Sequence, residues 1–467
     1  MGELVLAALA PHPPIIVPGV GGREAAKAQK TIDAMEELAR EFAAARPDTV
    51  VVISPHAPVF ADAIAIDGRP HLSGDLAQFG ADVELDFYSN LELMQAIEDE
   101  AHAAGISVAV LEPALARRYR VPSGLDHGAV VPLYFLAKEH YPFRLVAVSM
   151  GVGALNELYT FGMCMASAID KSQYRVAVIA SGDLSHRLSP DAPAGYAPEG
   201  KIFDEAVVGA LGTMDVAALA RLDDALIEAA GMCGLNPIIM MLGSLDGIEV
   251  ESEVLSYEGP FGVGYAVVAL RPKGRSEEAR RFHELVEGGK EKTRKLRHSE
   301  SAFAALARRA VEAYVCRGVV VEPPDPLPEG MQGRAGVFCT LHKRGQLRGC
   351  IGTTEPTRRN IAEEIIFNAI AAAVRDPRFE PVAPHELDDI VYSVDVLSPP
   401  EPVSGPEELD PQRYGVIVRN GGRVGLLLPN LEGINTVEEQ ISIARRKAGI
   451  GLNAPVELER FEVTRYE

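Results

Sequence analysis

The sequence predicts an α/β N-terminal domain, a central sheet with helices on both faces, followed by a smaller α+β C-terminal domain. Three observations carry that expectation. Short apolar runs without strict alternation recur through the first 270 residues, as strands buried on both faces require. Amphipathic helical stretches separate those runs. Beyond residue 271 the composition changes, and hairpin patterns replace the strand–helix alternation.

Leu4–Leu9 is the first apolar run, closed by Pro11-His12-Pro13-Pro14. Residues 24–45 place Ile32, Met35, Leu38 and Phe42 at helical spacing among charges. Thr49–Ile53 is β-branched and ends at Ser54-Pro55-His56. Further strands are expected at Leu145–Val148, Val176–Ala180, Val250–Ser256 and Gly264–Leu270, with helices near 90–104, 153–170, 200–211 and 223–231. Residues 271–300 hold ten basic and six acidic side chains and few apolar ones, which reads as a solvated linker or exposed helix. The resulting division is 1–272, a charged linker at 273–294, and 295–467.

The second unit opens with a helical segment, Ser301–Val315, and a Pro-rich loop at 323–328. A hairpin is expected from Gly336–Leu341, a Lys343-Arg-Gly-Gln turn and Leu347–Ile351. A helix near 358–374, a strand near 390–397 and a hairpin around Asn420-Gly421-Gly422 follow. Thr436 with Glu439 three residues on is a capping box opening the last helix.

The 467 residues suit two or three domains. They carry 45 basic and 66 acidic side chains, a formal charge of −21. Residues 1–270 hold 36 acidic and 16 basic groups, so nearly all the acidity lies there, and that domain is no nucleic-acid binder. No apolar run reaches membrane-spanning length, and the N-terminus lacks the basic region of a signal peptide. Five scattered cysteines without C-x-x-C fit reduced thiols in a cytoplasm.

Four histidines fall just past strands or in Gly/Pro-rich loops: His12, His56, His127 and His186. Ligands of α/β folds bind beyond the carboxyl ends of strands, so these side chains aim at one mouth. Rigid flanking prolines suit metal ligands, which tolerate little slack. Asp183 and His186, three apart, read as an orienting carboxylate with its base. Cys233, just before a helix start, is a candidate ligand or nucleophile because a thiol's pKa falls there; the alternative is a buried small apolar residue.

Pro-His-Pro-Pro, Ser-Pro-His, Asp126-His127-Gly128 with Val131-Pro132-Leu133, and Gly182-Asp-Leu-Ser-His186 together resemble the class III extradiol ring-cleavage dioxygenases, and still more the related Memo family. The resemblance spans nearly all of residues 1–270. It implies that His12 and His56 bind metal, that His186 is the acid/base histidine, and that His127 contacts substrate. The dioxygenases take their third ligand from the glutamate of an Ala-Gly-x-Glu-Gly stretch. The matching stretch here is Ala230-Gly231-Met232-Cys233-Gly234, with cysteine in that place as in Memo-type proteins. Thiolate is softer than carboxylate and alters both iron's redox character and its competition with copper or zinc. The resemblance implies Fe(II) first among metals, O₂ as co-substrate and a small aromatic or phenolic substrate.

In the second unit Arg348 and Cys350 share one strand face within Leu347-Arg-Gly-Cys-Ile-Gly352. Arginine beside a thiol favours the thiolate; a structural ion pair beside a core cysteine is the plainer reading. That string, with Arg375-Asp-Pro-Arg-Phe-Glu-Pro-Val382, Leu397-Ser-Pro-Pro-Glu-Pro402 and the ending Thr436-Val-Glu-Glu-Gln with Lys447-Ala-Gly449, resembles the AMMECR-type family over about 295–467. The fusion is similar to protein A of the AmmeMemoRadiSam system, which implies a separate radical SAM partner, since no Cys-x-x-x-Cys-x-x-Cys motif occurs here.

Three functions are consistent with these features. The leading one is a metal-dependent oxidoreductase of the extradiol type. The others are a non-catalytic metal-binding scaffold, and a transferase or hydrolase using Cys233 as nucleophile. A homo-oligomer is left open.

Overall fold

The computed structural model describes residues 2–343, 345–431, 434–451 and 454–467. Arg344, in the turn expected at 343–346, lies outside them. Two compact units divide the chain at Met1–Lys292 and Thr293–Glu467.

The first unit is built on β1 (Glu3–Ala10), β2 (Thr49–Ser54), β3 (Ile64–Asp67), β4 (His71–Asp75), β5 (Glu84–Tyr88), β6 (Val108–Leu111), β7 (Arg144–Ser149), β8 (Arg175–Ser181), β9 (Ile248–Glu258) and β10 (Tyr265–Arg275). Eight of these form one sheet in the order β6-β3-β7-β2-β8-β1-β10-β9, while β4 and β5 pair as a separate hairpin. The block β7-β2-β8-β1 is parallel, so the carboxyl ends of these four strands share one edge. Two strands at the far side, β10 and β9, run antiparallel and close the sheet.

Helices cover both faces: α1 (Pro18–Gly21), α2 (Gln29–Ala45), α3 (Leu91–Ala103), α4 (Pro113–Arg118), α5 (His127–Glu139), α6 (Leu155–Lys171), α7 (Glu199–Thr213), α8 (Val216–Ala220), α9 (Asp224–Ala230) and α10 (Leu235–Gly243). Alternate residues of each central strand enter two separate cores. Val51, Ile53, Val176 and Val178 pack with α3, α6, α7 and α10, while Val50, Val52, Ala177 and Ile179 pack with α2 and α5. This two-sided burial is why these strands read as continuous apolar runs. Helix α2 buries Ile32, Met35, Leu38 and Phe42 and stops at Arg46 in the left-handed region, with Pro47 next. The edge strand β6, its neighbour β3 and helix α5 escape the sequence reading.

The stretch expected as a linker holds the end of β10, a short 3₁₀ turn and most of α11 (Phe282–His298), which crosses the division. Its charges pair along the surface, as Lys292 does with Asp224.

The second unit contains α12 (Ala302–Arg317), β11 (Val337–Lys343), β12 (Gln346–Thr353), α13 (Ile361–Val374), β13 (Ile390–Leu397), β14 (Glu401–Val403), β15 (Gly415–Asn420), β16 (Arg423–Leu427), α14 (Val437–Lys447), β17 (Glu457–Phe461) and β18 (Val463–Tyr466). They make two four-stranded antiparallel sheets, β12-β11-β13-β18 and β14-β17-β15-β16. Helices α12 and α13 pack on the first sheet and α14 on the second. The capping box at Thr436 is formed, its hydroxyl accepting the Glu439 amide at 3.2 Å while the Glu439 carboxylate accepts the Thr436 amide at 3.3 Å.

Candidate metal centre

Ligand atoms of His12, His56 and Cys233 all lie within 4.8 Å of one another. His12 follows the end of β1, His56 follows β2, and Cys233 sits in the turn between α9 and α10. The parallel register brings the first two loops to the same sheet edge. The third arrives through a close backbone approach. A Cβ on Gly182 would fall 2.4 Å from the Gly234 Cα, so only glycine lets these loops meet. There the Cys233 amide donates to the Asp183 carbonyl and the Asp183 amide donates to the Cys233 Sγ, each at 3.4 Å.

His12 is fully buried and its tautomer is fixed. The Ser181 hydroxyl donates to the Gly128 carbonyl at 2.5 Å, so its oxygen accepts from His12 Nδ1–H at 2.9 Å. The lone pair is left on Nε2, which faces His56 Nε2 at 3.0 Å and Cys233 Sγ at 3.8 Å. Burial, reinforced by the charges of His56 and His127, holds the His12 pKa well below the ordinary imidazole value, so the ring is neutral. Metal bonds of about 2.1 Å to nitrogen and 2.3 Å to sulfur place neighbouring donors roughly 3.0–3.6 Å apart. The observed 3.0 and 3.8 Å bracket that spacing, and two imidazoles with a thiol are a donor set suited to iron, copper or zinc.

Asp183 was expected to orient His186. It hydrogen-bonds His12, accepting the His12 amide at 3.0 Å with its other oxygen 3.8 Å from Nε2, and acts on His186 through its charge. Burial lifts its pKa to about 6 against the pull of that amide. His186 places Nε2 at 3.7 Å from Cys233 Sγ, and burial lowers its pKa. Burial also pushes the Cys233 thiol up, with the Asp183 charge adding to it, which reverses the fall expected near a helix start. A bound cation reverses this again, because a coordinating thiol is deprotonated.

His127 begins α5, whose N-cap Asp126 accepts the Ser54 hydroxyl at 2.6 Å and the Ala129 amide at 3.3 Å. The His127 ring stacks on His56 with centroids 4.5 Å apart, and burial lowers its pKa. His56 and His127 form one wall of a cavity of about 560 Å³ that reaches to Arg69, Tyr119 and Arg120. Beneath the 182–186 loop, Asp204 accepts the Ser185 amide and the Tyr257 hydroxyl, both at 2.8 Å, and burial lifts its pKa to about 6. Sequence reasoning missed Ser181, Asp204 and Arg120. The one available signal was an acidic residue, Asp204, inside the apolar face of α7.

Residues 6–268 match the family described as the catalytic LigB subunit of aromatic ring-opening dioxygenase. The chain belongs to the LigB family. Residues 304–467 match AMMECR1, so a LigB-type, Memo-like domain is fused to an AMMECR1 domain. The same arrangement extends along Protein CA_C1420 of Clostridium acetobutylicum, 40% identical over 98% of both chains. A protein of Thermotoga maritima is 57% identical over 171 residues, 36% of this chain and 98% of its own. Among solved structures, protein PH0010 of Pyrococcus horikoshii is 36% identical, with a TM-score of 0.33, covering 35% of this chain and 88% of its own.

In the AMMECR1 domain the Leu-Arg-Gly-Cys-Ile-Gly string lies on β12. Arg348 forms a two-pronged pair with Glu386 at 2.9 and 3.1 Å, and Lys343 joins it at 2.8 Å. Burial would raise the Glu386 pKa, but these two cations override it and take it to about 2. Cys350 accepts the Thr340 hydroxyl at 3.2 Å, and its amide donates to Asp376, which Arg378 grips in turn. Two of the strings that marked the family, at 347–352 and 375–382, thus bind each other. Arg348 is engaged by a carboxylate, while Cys350 is half-buried rather than in the core.

Among the described residues no helix is long and apolar enough to cross a membrane.

Proposed function

We propose that the LigB-type domain is a metal-dependent oxidoreductase of the extradiol type, with His12, His56 and Cys233 holding non-haem iron, or in its place copper or zinc. The observation that carries this is the convergence of three donor atoms from three separate loops within 4.8 Å, one of them a neutral imidazole locked in the ligating tautomer. Iron at that point supplies redox chemistry with O₂ and a Lewis-acid anchor for phenolic oxygens. His186, 3.7 Å from the sulfur, takes up and returns the substrate proton, and its lowered pKa keeps it in the proton-accepting form near neutrality. His127 lines the cavity beside His56 and contacts the substrate ring, while Asp183 fixes the His12 backbone. A small aromatic or phenolic substrate suits a cavity of about 560 Å³.

A second reading, a metal-binding partner protein without turnover that works beside a radical SAM enzyme, draws support from Cys233 standing where the dioxygenases carry a carboxylate. Under either reading the AMMECR1 domain binds a substrate or a partner protein. A cysteine-nucleophile mechanism is disfavoured because burial keeps the free thiol protonated. Protein isolated without oxygen and given Fe(II) should hold about one metal per chain, and the His12→Ala, His56→Ala double variant should hold none. Full occupancy in the double variant overturns both readings. Oxygen uptake with catechols decides between them.

A further inference from the structure

The cavity lined by His56 and His127 also carries a charge that nothing among the described residues answers. Its charged side chains, apart from the two histidines, are Asp67, Arg69, Asp126 and Arg120. Arg69 is committed to the Asp67 carboxylate and to the carbonyls of Pro122 and Ser123. Asp126 accepts from Ser54 and Ala129. Arg120 is exposed and its guanidinium has no hydrogen bond or ion pair among the described residues.

Its place in the backbone is unusual too. Helix α4 ends in a Schellman turn, with the Arg120 amide on the Arg117 carbonyl at 3.2 Å and the Val121 amide on the Ala116 carbonyl at 2.9 Å. The residue in the left-handed position of that turn is normally glycine; here it is Arg120, with φ of 56°. Arg117 and Arg118 precede it, so three of the sixteen basic residues among the first 270 fall within four positions, in a domain with 36 acidic ones. Tyr119, also on the cavity wall, packs edge-on against Phe60 with centroids 5.2 Å apart, and Arg118 lies over its ring. An unanswered cation held beside aromatic surface, within an otherwise acidic domain, attracts an anion carried by a ring.

We infer that Arg120 is a recognition subsite for an anionic group, carboxylate or phosphate, borne by the small molecule that occupies this cavity. The orientation of that molecule, with its ring hydroxyls toward His56 and His127, rests on the function proposed above; the anion subsite does not.

The test is calorimetric titration of the full chain with phenyl phosphate, benzoate and phenol. An anionic probe should bind at least about tenfold more tightly than phenol and weaken as salt rises. The stronger of the two identifies phosphate or carboxylate as the group. Arg120→Gly should bring the anionic probes down to the phenol level, while its unfolding midpoint holds or rises because glycine favours the left-handed turn. Arg120→Lys should retain part of the preference. Equal binding of phenol and both anions, no saturable binding of either anion, or an undiminished preference in Arg120→Gly each overturns the inference. Metal content measured on the same samples separates the two ideas. A preference retained by a chain that takes up no metal sinks the metal centre alone, and a metal-loaded chain without preference sinks the subsite alone.

Discussion

Cys233 and Cys350 are both half-buried thiols beside charged side chains, one in each unit, and their surroundings differ in kind. Around Cys350 the charges answer one another: Arg348 and Lys343 close on Glu386, and Arg378 closes on Asp376. One Arg348 nitrogen, Nη1, is the exception, buried without a hydrogen-bond partner among the described residues. Around Cys233 the bonding atoms face each other instead, two imidazole nitrogens at 3.0 Å and a sulfur at 3.8 Å, with burial disfavouring the charged forms of His12 and Cys233. A network of charges paired within the chain holds a fold in place. A set of lone pairs turned toward one point is arranged for something that is not part of the chain.

Substitutions test that contrast most sharply at the two thiols. Cys233→Ala should lower metal affinity by more than about 100-fold in chelator competition, since even outer-sphere partners of a metal contribute about 10- to 100-fold. Cys350→Ala should leave metal content unchanged. Equal losses in the two variants would erase the distinction. Next in size is Glu386→Ala, which leaves Arg348 and Lys343 facing each other unanswered. It should destabilise the AMMECR1 domain by about 2–3 kcal/mol in denaturant unfolding, with metal content intact. The smallest effect concerns Asp204. Its folded pKa, about 6, lies above the ordinary carboxylate value, so the native state binds the extra proton. Stability from this group is fully present below about pH 4 and is lost as the pH rises through 6. Asp204→Asn removes that loss while keeping an acceptor for the Ser185 amide. Its stability relative to the parent chain should therefore improve by up to about 2 kcal/mol between pH 4.5 and 7.5, and a flat difference would show that Asp204 does not titrate there.

What the sequence made legible was local. The capping box at Thr436 and Glu439 spans three residues, and the Asn420 hairpin needs only its turn, so both could be read directly. His12 and His56 were found because prolines mark the loops just past two long strands. The hydrogen bond of Asp183 to His12 was out of reach of the sequence because the two lie 171 residues apart, whereas His186 is three residues away. Only the approach of Gly182 to Gly234 and the register of β1 beside β8 create the contact that matters. Strands β3 and β6 are four residues each, too short for a pattern. In β17 charged residues occupy much of Glu457–Phe461, which hides a strand with a single buried position. Arg120 drew no notice in the sequence because neither the cavity nor its turn conformation has a signature in the letters.

The three donors also differ in when they enter the chain. His12 and Cys233 are separated by 221 residues, and the loops that bear them meet only when β1, β2 and β8 are aligned in one sheet. During synthesis, a chain that has reached β8 (Arg175–Ser181) holds His12 and His56 but not yet Cys233, so it offers a metal an incomplete donor set. Capture at full strength waits for the whole domain, and metal binding then favours the completed fold over every partial one. At a free metal concentration 100 times the dissociation constant that linkage amounts to about 2.7 kcal/mol. On the metal-binding function proposed above, loading would act as a check on assembly, because the three donors come together only in the completed sheet.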